Sequence, residues 1–298
     1  MGVTANGIYT MPAEAYHADP CPEPSLSASI AKVLLSRSAQ HAWAQHPRLN
    51  PLFAPEERTA FDRGSAAHAL LLEGENRMVQ IDADSYRTKA AQEARDAARA
   101  AGKHPILKAD YQSILEMREV ALWAISKCPD LGGMTLADGK PEQTLIWKDG
   151  PIWCRARLDW LANDFSAMWD YKSTTDSEPS AFSRQIARMG YHIQAAFYRR
   201  GLEVITGQRA PFIFIAQERD EPYGVTFHGC APSMQEIADA EVSRAIDAWA
   251  KCLRTGIWPG YERRIHWAEA QNWQMTEHEE RLALGIPYDP ALLWEKAA

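Results

Sequence analysis

Two neighbouring stretches decide how this chain is read: Arg155-Ala156-Arg157-Leu158-Asp159-Trp160, and Met168-Trp169-Asp170-Tyr171-Lys172-Ser173-Thr174-Thr175. Both are β-prone, and Asn163-Asp164 between them is a turn signal, so they read as adjacent antiparallel strands. Side chains alternate along a strand, which places Asp170 with Lys172 on one face and Arg155, Arg157 and Asp159 on one face of theirs. Cross-strand pairing can then bring two carboxylates together with a lysine beside them. In Leu158-Asp159-Trp160 and Trp169-Asp170-Tyr171 a carboxylate interrupts an otherwise apolar strand, where a charge without a partner or metal is costly. Two readings fit these residues. One is a surface hairpin with an Asp/Lys ion pair. The other is a site in which paired carboxylates hold a divalent cation through oxygen, Tyr171 adds its backbone carbonyl, and Lys172 positions or deprotonates a water.

Working outward, three β-prone segments at 144–147, 152–161 and 167–171 form a meander, the first two joined at Asp149-Gly150. The chain before them reads as helical over 27–46, 56–73, 87–101 and 108–127, with breaks at Pro47, Pro51, Pro55 and 102–105. After them a helix is expected from Asp176 or Ser177, capped there ahead of Pro179, then a second over 190–205. Strands at 212–217 and 224–228 and an amphipathic helix over 233–253 follow, and the part after Trp258 carries no clear element. This order predicts a mixed α/β core with a helical N-terminal cap.

The net charge is −7, from 32 Lys and Arg against 39 Asp and Glu, so nothing global marks a polyanion binder and any nucleic-acid contact must be local. The segment 181–210 is the locally basic one, carrying Arg184, Arg188, Arg199, Arg200 and Arg209 against the single acid Glu203. A solvated helix face and a phosphate-positioning flank both account for it. The 5 cysteines are scattered and form no CxxC pair, which excludes a disulfide framework or a cysteine metal cluster and predicts reduced core thiols. No window is apolar enough to span a membrane and no signal peptide is visible, so a cytoplasmic protein is expected. The tryptophans, Trp43, Trp123, Trp249 and Trp267 among them, are expected in the core or at interfaces.

Several further motifs accompany the central pair: Ala15-Tyr16-His17 with Pro24-Ser25-Leu26-Ser27; Gly64-Ser65-Ala66-Ala67-His68 with Leu70-Leu71-Leu72-Glu73; Glu142 ahead of the meander; and Gly190-Tyr191-His192-Ile193-Gln194-Ala195-Ala196-Phe197-Tyr198. Together with Asp159 and Asp170-Tyr171-Lys172, they resemble the PD-(D/E)XK nucleases. The specific likeness is to the exodeoxyribonuclease VIII (RecE) C-terminal nuclease family of phage and prophage recombination systems, over residues 14–250. The Q-x-x-x-Y helix, joined to Asp170-Tyr171-Lys172-Ser173-Thr174-Thr175, carries the specific part of that resemblance.

The resemblance implies a PD-(D/E)XK core, a mixed β-sheet flanked by helices. It would make 1–298 a single nuclease domain, with 14–130 as helical cap, 140–255 as core and 256–298 as C-terminal tail. The long N-terminal extension of full-length members is absent, so a stand-alone nuclease domain is expected. By the same resemblance Asp159, Asp170 and the Tyr171 carbonyl bind Mg²⁺, which Mn²⁺ can replace. Lys172 is the catalytic lysine, His68 brings an imidazole from the cap, and Glu142 is a further acidic ligand. Gln194 and Tyr198 share a helix face, which either packs on the sheet or lines the cleft, where Gln194 would order a carboxylate or a DNA phosphate and Tyr198 would contact the strand.

The implied activity is Mg²⁺-dependent exonuclease action at double-stranded DNA ends, 5′ to 3′, leaving 3′ overhangs for recombination by single-strand annealing. The implied partner is an annealing protein of the RecT or Beta type in the cytoplasm of a bacterial host. Because the chain is acidic, DNA binding is expected to rest on Arg184, Arg188 and Arg199, repeated around a channel by a cyclic homo-oligomer. The competing reading is a nuclease-fold DNA-binding or partner-binding protein without exonuclease activity, which would be expected to lack Asp170 or Lys172. Iron–sulphur relatives of the core need a cysteine cluster that this chain does not have.

Overall fold

The computed structural model describes residues 3–54, 63–74 and 78–285. In chain order it contains β1 (Gly7–Thr10), α1 (Ala13–His17), β2 (Leu26–Ser27), α2 (Ala28–Ser36), α3 (Ala39–Ala44), α4 (Arg63–Glu73), β3 (Met78–Ile81), α5 (Lys89–Ala100), β4 (His104–Leu107) and α6 (Lys108–Lys127). Then come β5 (Gly139–Asp149), β6 (Ile152–Ala162), β7 (Met168–Thr174), α7 (Pro179–Arg188), α8 (Tyr191–Thr206), β8 (Phe212–Glu218), β9 (Val225–His228), α9 (Pro232–Thr255) and α10 (Asn272–Ala283). Residues up to Gly260 form one compact unit, and those from Tyr261 a second that contains α10.

The expected mixed sheet flanked by helices, with a helical N-terminal portion, is present. Its seven strands run β1-β5-β6-β7-β8-β9, with β2 added in parallel to β6. β5, β6 and β7 form the antiparallel meander, β7 and β8 are parallel, and β9 returns antiparallel. Apolar cores lie on both faces, which is why β6 is buried almost throughout. One core joins Leu145, Trp147, Leu158 and Phe214 of the sheet to α2, α8 and α9. The other joins Trp160, Trp169, Tyr171 and Ile215 to α4 and α6.

Several boundaries differ from the sequence reading for local reasons. The helix expected over 27–46 is two helices, because Arg37 leaves helical geometry and the Ser38 side chain caps a new start by accepting from the His41 N–H. α7 is capped by Glu178, whose carboxylate accepts from the Ala181 N–H; Ser177 is engaged elsewhere, donating from N and Oγ to Glu218. The expected helix over 56–73 is seen from Arg63, residues 56–62 lying outside the described ones. The short strands β1, β3 and β4 and the helix α10 were not expected. Trp249 is a core residue, whereas Trp123 and Trp267 are exposed on the single chain. All five cysteines are free thiols, and no described helix is long and apolar enough to cross a membrane.

The sheet places the site through one interruption. β6 pairs on one edge with β5 along its length, but on the other edge with β2 only at Cys154–Arg155 and with β7 only at Trp160–Leu161. Residues 156–159 therefore border a gap between β2 and β7. The β5–β6 ladder also skips Glu142 opposite Asp159, and Glu142 has a left-handed φ of 55°. Leu158 belongs to one core and Trp160 to the other, so the side-chain alternation of β6 slips at Asp159. Two acidic residues thus leave the regular pleat side by side at an opening in the sheet.

Candidate active site

The opening is the floor of a cleft of about 820 Å³. β5 and β6 supply Glu142, Arg157 and Asp159; β7 supplies Tyr171 and Lys172; α4 supplies His68, and α8 supplies Tyr191, Gln194 and Tyr198. His68 Nε2 lies 3.1 Å from Asp159 Oδ2 and 3.9 Å from Glu142 Oε1. Asp159 Oδ2 also accepts the Tyr171 N–H at 2.8 Å. Because the N–H and C=O of a strand residue point to the same edge, the Tyr171 carbonyl faces this opening too.

Asp170 is 1% exposed. Its Oδ1 accepts from Gln194 Nε2 at 2.7 Å, and its Oδ2 lies 2.5 Å from Lys172 Nζ. Gln194 therefore orders a carboxylate, one of the two roles its place on α8 allowed. Tyr198 is buried at the cleft wall beside Phe212. The Lys172 ammonium lies 5.1 Å from the centre of the Tyr191 ring, and Lys32 of α2 approaches the same ring at 5.6 Å.

The electrostatics follow from these distances. Burial works against charge on His68, yet the Asp159 and Glu142 carboxylates beside it raise the imidazole to about 9. Burial, then the like charge of Asp159, push Asp170 up to about 6. Asp159 is held low despite its burial, because His68, Lys172 and the Tyr171 N–H all favour its charged form. Glu142 is raised by burial and by Asp159. Burial opposes charge on Lys172, but Asp170 and Asp159 outweigh it, so the lysine is held as an ammonium. It is paired as a cation with Asp170.

Ligand atoms of His68, Glu142 and Asp159 all lie within 4.8 Å of one another. A divalent cation fits this donor set on two grounds. The set combines hard carboxylate oxygens with an imidazole, and it adjoins a further buried carboxylate, Asp170, whose like-charge interaction with Asp159 a cation would relieve. His68 and Arg157 pair with the acids, Arg157 Nε donating to Glu142 Oε2. Arg155 does not take part: it pairs with Asp19 and donates to Ser25.

The structure brings His68, Glu142, Asp159, Tyr171, Lys172, Gln194 and Tyr198 to one cleft, with Asp170 buried behind its wall and bonded to Gln194 and Lys172. It does not bring Arg184, Arg188 or Arg199 there. Arg184 and Arg188 are exposed on α7, and Arg199 lines a small cavity with His192 and Cys230. Arg200 is committed to Asp149 and Arg209 to Glu203. The cleft takes its cations from elsewhere: Lys32, Arg99, Lys103, Arg157 and Lys172 all line it. Ser29 and Lys32, one turn apart on α2 after the Ser27 cap, were the available signal for that second wall.

A family model described as a PDDEXK-like domain of unknown function (DUF3799) matches residues 27–269. No curated protein sequence matches the chain. Among solved structures the fold is similar to a candidate exonuclease from Eubacterium rectale, with TM-score 0.56 and 13% identity over 90% of this chain and 98% of that one. An alkaline exonuclease from Laribacter hongkongensis aligns over 57% of this chain and 85% of its own, with TM-score 0.28 and 16% identity. A phage related exonuclease from Haemophilus somnus aligns over 64% and 95%, with TM-score 0.30 and 14% identity.

Proposed function

The chain belongs to the PDDEXK-like family, and on that premise we propose that it is a metal-dependent nuclease acting on DNA ends. The observation that carries the reading is the convergence of His68, Glu142, Asp159 and Asp170 with the Lys172 ammonium at one gap in the sheet. His68, Glu142, Asp159, Asp170 and the Tyr171 carbonyl would hold Mg²⁺ or Mn²⁺. When bound, the cation supplies Lewis acidity toward the phosphate and lowers the pKa of a water.

The chain's own residues supply the rest. Gln194 fixes one oxygen of Asp170 and leaves the other facing Lys172. Lys172, flanked by the Tyr191 ring, offers an ammonium to a phosphate oxygen or an attacking water. Lys32 and Lys103 line the cleft and neutralise backbone phosphates on either side, which answers how a chain of net charge −7 holds a polyanion. Attack on a duplex end with 5′ to 3′ polarity, 3′ overhangs passed to an annealing protein of the RecT or Beta type, and a cyclic homo-oligomer are further parts of the proposal; the motif resemblance supports them.

The test is a linear duplex labelled at each end and incubated with the purified chain. Release of labelled nucleotide with Mg²⁺, abolished by EDTA and restored by added Mg²⁺, is expected, with the 5′ label lost first. An intact duplex across a Mg²⁺ and Mn²⁺ titration, with the chain folded and DNA bound, would leave a binding protein instead.

A further inference from the structure

Each carboxylate of the site has an oxygen committed to a donor from the chain itself, and Asp170 has both, its Oδ2 facing the Lys172 ammonium. Arg157 Nε donates to Glu142 Oε2, Gln194 Nε2 to Asp170 Oδ1, and the Tyr171 N–H to Asp159 Oδ2. The Glu142 arrangement is the most constrained. Its carboxylate spans two partners, with Oε1 toward His68 and Oε2 held by Arg157. Arg157 is itself anchored, since Nη1 donates to the Met11 carbonyl at 2.9 Å and the side chain is only 17% exposed. Turning the guanidinium away would leave its half-buried donors and the Met11 carbonyl unpaired. The left-handed backbone at Glu142 lifts that residue out of the β5–β6 ladder, so its side-chain partners set the carboxylate's direction.

We propose that Arg157 is a positioning residue that confines Glu142 to a single coordinating oxygen, and that this makes the site select a small six-coordinate cation over Ca²⁺. The inference rests on the metal-dependent reading above and adds the determinant of which metal is taken. Ca²⁺ accommodates six to eight oxygens and commonly takes a carboxylate through both of them, whereas Mg²⁺ demands octahedral geometry and single-oxygen ligands. A carboxylate with one oxygen fastened to a guanidinium suits the second cation and penalises the first. Lysine cannot replace this function: it keeps the charge, but a single ammonium cannot hold Glu142 with one nitrogen and Met11 with another in a planar fork.

The alternative account is that Arg157 acts only as a positive charge near the site. A charge weakens every divalent cation alike, so the ratio of affinities separates the two. The experiment is isothermal titration calorimetry of Mg²⁺, Mn²⁺ and Ca²⁺ into the full chain, Arg157→Met and Arg157→Lys, with folding checked by circular dichroism. In both variants the Ca²⁺ affinity is expected to rise relative to Mg²⁺ by about tenfold, the lower end of the effect of a partner that orients a metal ligand. An unchanged ratio in Arg157→Met, or a ratio that moves in Arg157→Met but not in Arg157→Lys, overturns the proposal. Should Arg157→Met not fold, the Arg157→Lys ratio decides alone. Divalent binding with an unchanged ratio sinks only this inference; no divalent binding by the unaltered chain sinks the metal-dependent reading with it.

Discussion

Replacing Asp19 by Asn tests how the segment that delivers α2 to the cleft is held. The Asp19 side chain is fully buried, 3.3 Å from His46 Nε2 and 3.4 Å from Arg155 Nη1, and accepts the Ser25 hydroxyl at 2.6 Å and the Ser25 N–H at 2.9 Å. Burial alone would raise its carboxyl; His46, Arg155 and Ser25 more than offset that and bring it from 3.8 down to about 2. At 1.36 kcal/mol per pH unit, this is worth about 2 kcal/mol of folding stability at neutral pH. Because the folded value lies below the unfolded one, the contribution is complete above about pH 5 and is lost as the pH falls through about 2; by pH 3 it is about 1 kcal/mol. Asn suits the left-handed φ of 63° at this position, so Asp19→Asn removes the charge without backbone strain. Urea unfolding of the two proteins at pH 7 and pH 3 is the assay. A stability loss of about 2 kcal/mol that halves at the lower pH is expected, and a loss of equal size at both would refute the electrostatic account and leave only a packing effect.

The remaining expectations concern the cleft and the sheet. Asp170→Asn and Lys172→Ala should each slow nucleotide release by at least about a hundredfold with folding intact; near-normal turnover in either folded variant would remove the assignment. Lys32→Ala should raise KM for duplex ends more than it lowers kcat, since Lys32 lines the cleft from α2 beside the Tyr191 ring, while Lys172 is the lysine on Asp170; an effect confined to kcat would place Lys32 at the reacting phosphate instead. Gly201→Ala should destabilise by about 1–3 kcal/mol in thermal unfolding, because an added Cβ would sit 2.6 Å from the fully buried Trp147 ring where α8 packs on β5. An unchanged Tm would mean that the α8–β5 contact is slack.

The residues the sequence revealed and those it hid differ in one physical respect. Asp159, Asp170 and Lys172 stand out because a charge in an apolar strand breaks a local pattern, and local alternation is what a strand writes into sequence. Gln194 and Tyr198 follow from helical spacing, whereas His68, among alanines and leucines on α4, needed the motif resemblance. The donors that set the state of these groups have no local signature. Arg157 reads as one more alternating residue, and its bond to Glu142 forms where the ladder skips Glu142 opposite Asp159. Asp19, Ser25, His46 and Arg155 meet only after β2 has docked on β6. The basic segment at 181–210 stands apart from the cleft for the converse reason. Its charge density is local, but which face meets the cleft is set by how α7 and α8 pack on the sheet, and that packing spends Arg200 on Asp149 and turns Arg184 and Arg188 to the exterior. Where charge is the clue, its sign and density are legible in a sequence, while its partner is a property of topology. Apart from Arg157 and Lys172, the cations lining the cleft therefore come from α2 and from the region around α5, which the chain reaches long before it writes the carboxylates themselves.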